Sequence, residues 1–130
     1  ADVDFFKVIN DTYGHLVGDD VLKEIATELN KNLRHEDISG RWGGEEFVLL
    51  LPETNREQCL KTAERIRNNT KISPVSLESI NSHKSEINTT VSVGCATVNG
   101  DDFSIHAVIE RADQALYRAK NEGRNRACYF

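Results

Sequence analysis

The chain has 130 residues, 38% of them hydrophobic and 28% charged, which is the composition of one folded domain with a core of its own. Sixteen Lys and Arg against twenty-one Asp and Glu leave a net charge of −5, which argues against a broad electrostatic footprint for a nucleic-acid polymer. No apolar run is long enough to span a bilayer, and the acidic N-terminus carries no apolar targeting segment.

The charge is unevenly spread. Residues 1–20 hold Asp2, Asp4, Asp11, Asp19 and Asp20 against Lys7 alone, a balance of −4. Residues 111–130 hold Arg111, Arg118, Lys120, Arg124 and Arg126 against Asp113 and Glu122, a balance of +3. Cys59, Cys95 and Cys128 are odd in number and lack a CxxC pair, so neither a disulfide framework nor a zinc site is expected. Three free thiols suit a reducing cytoplasm. With no Met, the chain is expected to be an N-terminally truncated piece of a larger protein whose remainder is free to be membrane-anchored.

In chain order, residues 1–6 read as the end of a buried strand running into a helix from about Phe6 to Asp11. Gly14 and Gly18 are expected to break the chain. Val21, Leu22, Ile25, Ala26, Leu29 and Leu33 recur at helical spacing, so 19–33 reads as an amphipathic helix with Asp19 and Asp20 at its positive start. Residues 38–42 and 46–51 form two short apolar runs around Gly43-Gly44, a hairpin signal. A helix follows over about 55–69, with Leu60, Ala63 and Ile66 on its apolar side. Residues 71–88 are polar and read as a variable loop or weak hairpin. Thr90 to Val98 is a β-rich strand. Ile105, Val108, Ile109, Ala112, Leu116 and Ala119 mark a long helix ended by Gly123, and Arg126 to Phe130 reads as a last strand. This order implies an α+β fold: a mixed sheet with helices packed on one face.

Chemistry concentrates in Arg41-Trp42-Gly43-Gly44-Glu45-Glu46-Phe47. Two glycines make a tight turn that lets a bulky ligand approach the backbone, and two carboxylates follow on alternate faces of a strand. The alternation in Asp2-Val3-Asp4 puts both of its carboxylates on one face. If the two strands are neighbours, Asp2 and Glu45 converge into a hard-oxygen site suited to Mg²⁺ and substrate phosphates. Taken singly, each acidic pair reads more simply as a solvated turn.

The residues around these pairs alter that weighing. Asp2 to Asp11, Gly14-His15, Gly18-Asp19, the GGEEF run, Ala112-Asp113, Ala115-Leu116-Tyr117, Ala119-Lys120 and Gly123-Arg124-Asn125 together resemble the GGDEF family of diguanylate cyclases, which make cyclic di-GMP from two GTP. The resemblance runs from residue 1 to about Asn125, in family order. It implies a single GGDEF domain over 1–130, with a mixed, mainly antiparallel central sheet and surrounding helices. That architecture is nucleotide-cyclase or polymerase-palm-like, with a ferredoxin-like core.

The resemblance also assigns roles. Asp2, Glu45 and the Val3 carbonyl match metal ligands for two Mg²⁺ (or Mn²⁺) per active site, and Glu46 matches a second acidic position by the attacking hydroxyl. Asp2, Glu45 and Glu46 are then the catalytic set. Asn10 and Asp19 match a guanine-reading pair, a carboxylate being able to accept from guanine N1–H and its amine. Gly43 and Gly44 leave room for nucleotide. Lys7, Lys120 and Arg124 match phosphate contacts. Arg34 and Asp37 form an RxxD string that, with Arg65, matches a product-binding inhibitory site whose arginines suit phosphate and guanine.

Blander readings stand beside these: Asp19 as a helix cap, Asn10 as a turn residue, Lys120 and Arg124 as last-turn cations, and His15, His35, His83 and His106 as structural or surface residues. The implied enzyme works as a homodimer, each domain presenting one GTP, under an upstream sensor or receiver domain, with cyclic di-GMP as product and inhibitor and no nucleic-acid polymer as partner. The alternative is a catalytically silent GTP- or cyclic di-GMP-binding regulatory domain. A cyclase or polymerase palm of another family shares the two-metal logic but lacks the flanking blocks.

Overall fold

A computed structural model describes residues 1–70, 87–100, 102 and 104–130. The elements run β1 (Asp2–Val3), α1 (Phe6–Tyr13), α2 (His15–Lys31), β2 (Ile38–Gly43), β3 (Glu46–Leu50), α3 (Arg56–Asn69), β4 (Val91–Cys95), α4 (Ile105–Asn121) and β5 (Ala127–Tyr129). The strands form one sheet in the order β2-β3-β1-β4-β5. All pairs are antiparallel except β4–β5, which is parallel. Element types and order follow the expectation, and the sheet is mixed as predicted. No helix among the described residues is long and apolar enough to cross a membrane.

Helices cover both faces of the sheet, where the sequence order suggested one. Val3, Phe47, Val91, Val93 and Cys95 turn to a core shared with Phe6 and Ile9 of α1, Val21, Ile25 and Leu29 of α2, and Cys59, Ala63 and Ile66 of α3. Ser92 and Gly94 alternate with these residues along β4 and face the other way, toward α4. A side chain at Gly94 would lie 2.1 Å from the Ala112 carbonyl oxygen and 2.2 Å from the Leu116 nitrogen, so glycine lets α4 sit against the strand. Single-face packing is not legible from helix periodicity, because period 3.6 reports that a face is buried and not which side of a sheet buries it.

Two boundaries differ from expectation for physical reasons. Gly14 (φ +87°) separates α1 from α2, but Gly18 is helical and buried inside α2. Its missing side chain admits Asn10: a Cβ there would lie 1.9 Å from Asn10 Oδ1 and 3.2 Å from Phe6 Cζ. Helix α2 therefore starts at His15, one turn earlier than the apolar pattern shows, and Asp19 and Asp20 do not lie at its start. The strands of the hairpin pair Gly43 with Glu46 around a Gly44-Glu45 turn, with an irregular register between Arg41 and Gly43. The polar stretch read as a loop lies mostly outside the described residues; at its end Ile87 is buried.

Between β3, β4, α3 and α4 lies a cleft of about 990 Å³ lined by Leu49, Val93, Ala112 and Leu116 among others, with Glu46 and Asp113 on its polar side. It adjoins the central strand β1.

Candidate active site

The acidic residues of the first block sit at the middle of the sheet. β1 lies between β3 and β4, with Asp2 opposite Glu46 on one side and Ser92 on the other. The Val3 amide donates to the Glu45 carbonyl at 3.3 Å, so the GGEEF turn is stitched directly to β1. Asp2 and Glu45, 43 positions apart in sequence, thereby become neighbours. Asp2 is 4% exposed.

Burial raises the Asp2 carboxyl above the ordinary aspartate range; the Lys120 ammonium opposes this and the nearby Glu45 charge adds to it. Lys120 Nζ stands 2.7 Å from Asp2 Oδ2. The last turn of α4 thus brings its cation to the predicted metal carboxylate. The −4 and +3 ends of the chain meet here. Two carboxylates and a strand carbonyl are hard oxygen groups of the kind that suit Mg²⁺, and the neighbouring Lys120 ammonium is of the kind that suits phosphate oxygens. Among the described residues, no cluster of three or more His, Cys, Asp or Glu is close enough to hold a metal by itself. Substrate oxygens complete the shell in such sites.

The glycine turn is open. Gly43 and Gly44 have nothing within 4 Å of where a Cβ would stand, Gly44 has φ +49°, and Arg41 Nε donates to the Gly44 carbonyl at 2.8 Å to brace the loop. A groove of about 480 Å³ beside it is lined by Asp19, Leu22, Lys23, Ser39 and Arg41 among others.

The Asn10 amide abuts Gly18, the residue before Asp19 in α2. Asn10 Oδ1 is buried without a hydrogen-bond partner among the described residues. Asp19 is exposed and lies within α2, so it does not cap that helix. Lys7 is turned along α1, with Nζ 2.6 Å from Asp11 Oδ2, and makes no contact with the carboxylates of β1. Arg124 is not a last-turn cation: it follows α4 with φ +60°, and its guanidinium lies 4.7 Å above the Phe5 ring.

On the far side of α2, Asp37 Oδ2 accepts from the Arg34 amide at 2.8 Å and closes the RxxD turn. Asp37 Oδ1 is buried without a partner among the described residues. Arg65 reaches the same corner from α3, donating from Nη2 to the Asn32 carbonyl at 2.9 Å. Arg65 thus binds the chain two residues before Arg34.

Sequence reasoning missed the role of Asp4. Only 2% exposed, it accepts from Thr90 Oγ1 at 2.6 Å, Ser92 Oγ at 2.7 Å and the Asn125 amide at 3.0 Å. The hydroxyls at positions 90 and 92, spaced for one strand face, were the available signal. Asp102, read only as loop, binds Arg111 through both carboxylate oxygens at 2.6 Å.

The sequence matches the family model described as "Diguanylate cyclase, GGDEF domain" over residues 1–126. It is 45% identical over 125 residues to diguanylate cyclase A of Treponema denticola, covering 96% of this chain and 32% of that protein. Diguanylate cyclase SiaD of Pseudomonas aeruginosa, solved with its activator SiaC, superposes with a TM-score of 0.89 at 40% identity, covering 99% of this chain and 47% of that one. The GGDEF domain of DgcB from Caulobacter crescentus, solved with c-di-GMP, gives 0.86 at 35% identity, covering 98% and 73%. With the acidic block of β1 at the centre of the sheet, the glycine turn stitched to it and the family match running through residue 126, the chain belongs to the GGDEF family of diguanylate cyclase domains.

Proposed function

We propose that this chain is a single GGDEF domain of a larger protein and serves as one half of a diguanylate cyclase, condensing two GTP into cyclic di-GMP and two pyrophosphates across a homodimer. The observation that carries the reading is the meeting of Asp2 on β1 with Glu45 in the turn stitched to it, with Lys120 2.7 Å from Asp2. The chain spans about a third of the Treponema relative, which leaves room in such proteins for the upstream sensor or receiver domain expected here.

Asp2, Glu45 and the Val3 carbonyl would hold two Mg²⁺ or Mn²⁺ ions, which when bound supply charge neutralisation on the triphosphate and an activated 3′-hydroxyl. Lys120 and Arg124 take phosphate oxygens, and Lys7 joins them if its exposed pair with Asp11 opens. Asn10, with its unsatisfied amide oxygen, and Asp19 read the guanine edge. Gly43 and Gly44 admit the nucleotide, while Glu46 stands on the attacking side. In each half-reaction a bond forms from the 3′-oxygen of one GTP to the α-phosphorus of the other. The bond from that phosphorus to pyrophosphate breaks, pyrophosphate leaves with the bonding pair, and the 3′-hydroxyl proton is released to solvent.

Product analysis tests this. The chain, held as a dimer by a fused coiled coil and given GTP and Mg²⁺, should form cyclic di-GMP, and Glu45→Gln should lower the rate at least about 100-fold, as loss of a metal ligand at a charged transition state implies. GTP bound but never converted would instead support the silent regulatory reading.

Arg34, Asp37 and Arg65 are proposed to bind cyclic di-GMP away from this centre and to slow turnover. The closed Arg34–Asp37 turn and the reach of Arg65 to the Asn32 carbonyl beside it support that role. Arg34→Ala should weaken cyclic di-GMP binding by about 10-fold or more, the scale of a lost charge-assisted pair. Unchanged affinity by calorimetry refutes the assignment.

A further inference from the structure

Residues 4 and 5 face residues 124 and 125 as a matched pair. Helix α4 ends in a Schellman turn: the Arg124 amide donates back to the Ala119 carbonyl at 3.0 Å, and the Gly123 amide points to Lys120. Past that turn the backbone stays left-handed, with φ +111° at Gly123, +60° at Arg124 and +47° at Asn125. Gly and Asn tolerate this region; Arg does not, and holds it only where surrounding contacts over-determine it.

Those contacts are present. The Asp4 carboxylate, fixed by Thr90 and Ser92 hydroxyls, takes the Asn125 amide. From the opposite side Arg67 donates to the Asn125 carbonyl at 3.3 Å and to its side-chain oxygen at 3.2 Å. Phe5 is itself left-handed, with φ +57°, and the residue is 62% exposed. An exposed side chain in strained backbone buries little apolar surface, yet the Phe5 ring lies beneath the Arg124 guanidinium carbon, with the ring centroid 4.7 Å away. Strain spent on both partners of one exposed contact points to placement of the cation and not to stability.

We propose that Asp4 and Phe5 are positioning residues for Arg124: Asp4 clamps the turn that carries it, and the Phe5 ring holds its guanidinium in place for the triphosphate. The proposal rests on the reading of Arg124 as a phosphate contact. The ring costs the guanidinium none of its five in-plane N–H donors, since a stacked cation presents its edge to solvent and phosphate. Asp2 performs the parallel task one turn earlier, through its contact with Lys120.

The test is a double-mutant cycle on the full chain. GTP affinity with Mg²⁺ is measured by calorimetry for the parent, Phe5→Leu, Phe5→Tyr, Asp4→Asn, Arg124→Ala and Phe5→Leu with Arg124→Ala. The Arg124 guanidinium ¹H–¹⁵N resonances are recorded alongside. Phe5→Leu should weaken GTP about two- to five-fold, the range of an exposed cation–π contact, and Phe5→Tyr should restore it. Adding Phe5→Leu to Arg124→Ala should weaken it no further. In the parent the Arg124 signals should be shifted upfield by the ring, and Phe5→Leu should abolish that shift. Asp4→Asn, which keeps one acceptor oxygen, should displace the same signals and weaken GTP in step.

Equal losses from Phe5→Leu with and without Arg124 overturn the proposal, as does an Arg124 resonance indifferent to Phe5. If Arg124→Ala weakens GTP while Phe5→Leu changes neither signal nor affinity, the phosphate role of Arg124 stands and positioning alone is refuted. If Arg124→Ala binds GTP like the parent, the phosphate role fails and positioning for it fails too.

Discussion

Single atoms decide several features of this site. Gly18 is the clearest case, because a Cβ there would meet Asn10 Oδ1 at 1.9 Å, the movable end of a side chain. Helix propensity favours alanine over glycine by about 1 kcal/mol, which offsets much of the crowding. Gly18→Ala should therefore change unfolding free energy by less than about 1 kcal/mol while expelling Asn10. GTP affinity should fall about 10-fold as a guanine hydrogen bond to a charged or strongly polar site is lost. A titration showing unaltered GTP binding in a folded Gly18→Ala chain would remove Asn10 from the guanine site.

Gly94 presents the opposite situation. Its neighbours at 2.1 and 2.2 Å are backbone atoms of α4, which cannot swing aside. Gly94→Ala should cost about 3 kcal/mol or more, at the upper end of overpacking, and denaturant titration reads it directly. Asp102 supplies a pH signature: two bonds from Arg111, aided by the Asn99 amide, hold its carboxyl at about 2 against an ordinary 3.8. A depressed carboxylate pKa stabilises the fold above the unfolded value and loses that contribution as pH falls through the folded one. Stability should thus decline between pH 4 and pH 2, and more shallowly in Arg111→Met. Parallel profiles for the two proteins would show that the pair contributes nothing.

At the scale of elements, helix ends explain what was legible and what was not. Helix α3 begins with a capping box, Asn55 accepting from the Gln58 amide at 3.0 Å while the Gln58 side chain accepts from the Asn55 amide at 3.0 Å. That signature is local, so the sequence places the helix start within one residue. Asn55→Ala should lower stability by about 1 kcal/mol without altering GTP binding, seen as a lower midpoint in urea.

The start of α2 was not legible, because its first turn, His15 to Gly18, is shaped by packing on α1 and not by its own periodicity. Likewise Gly123 marks the end of α4 locally, but the left-handed Arg124 and Asn125 depend on Asp4, over a hundred residues away in sequence. Local rules read caps and turns. Contacts between the chain ends need the sheet.

The whole molecule turns a charge imbalance into a site. The acidic first block and the basic last block lie at opposite ends of the sequence, and the placement of β1 between β3 and β4 with α4 packed beside them brings them together. Composition alone shows the imbalance. Motif blocks show which residues serve a nucleotide, and the sheet order shows how Asp2 and Glu45 meet. On the proposed function, one such domain carries half of a two-GTP reaction. The most direct test is the rate of cyclic di-GMP formation per chain, with GTP and Mg²⁺, as chain concentration is raised without any fused dimerising segment. The per-chain rate should rise in proportion to concentration while the domains are mostly separate; a per-chain rate independent of concentration would mean that a single domain completes the reaction alone.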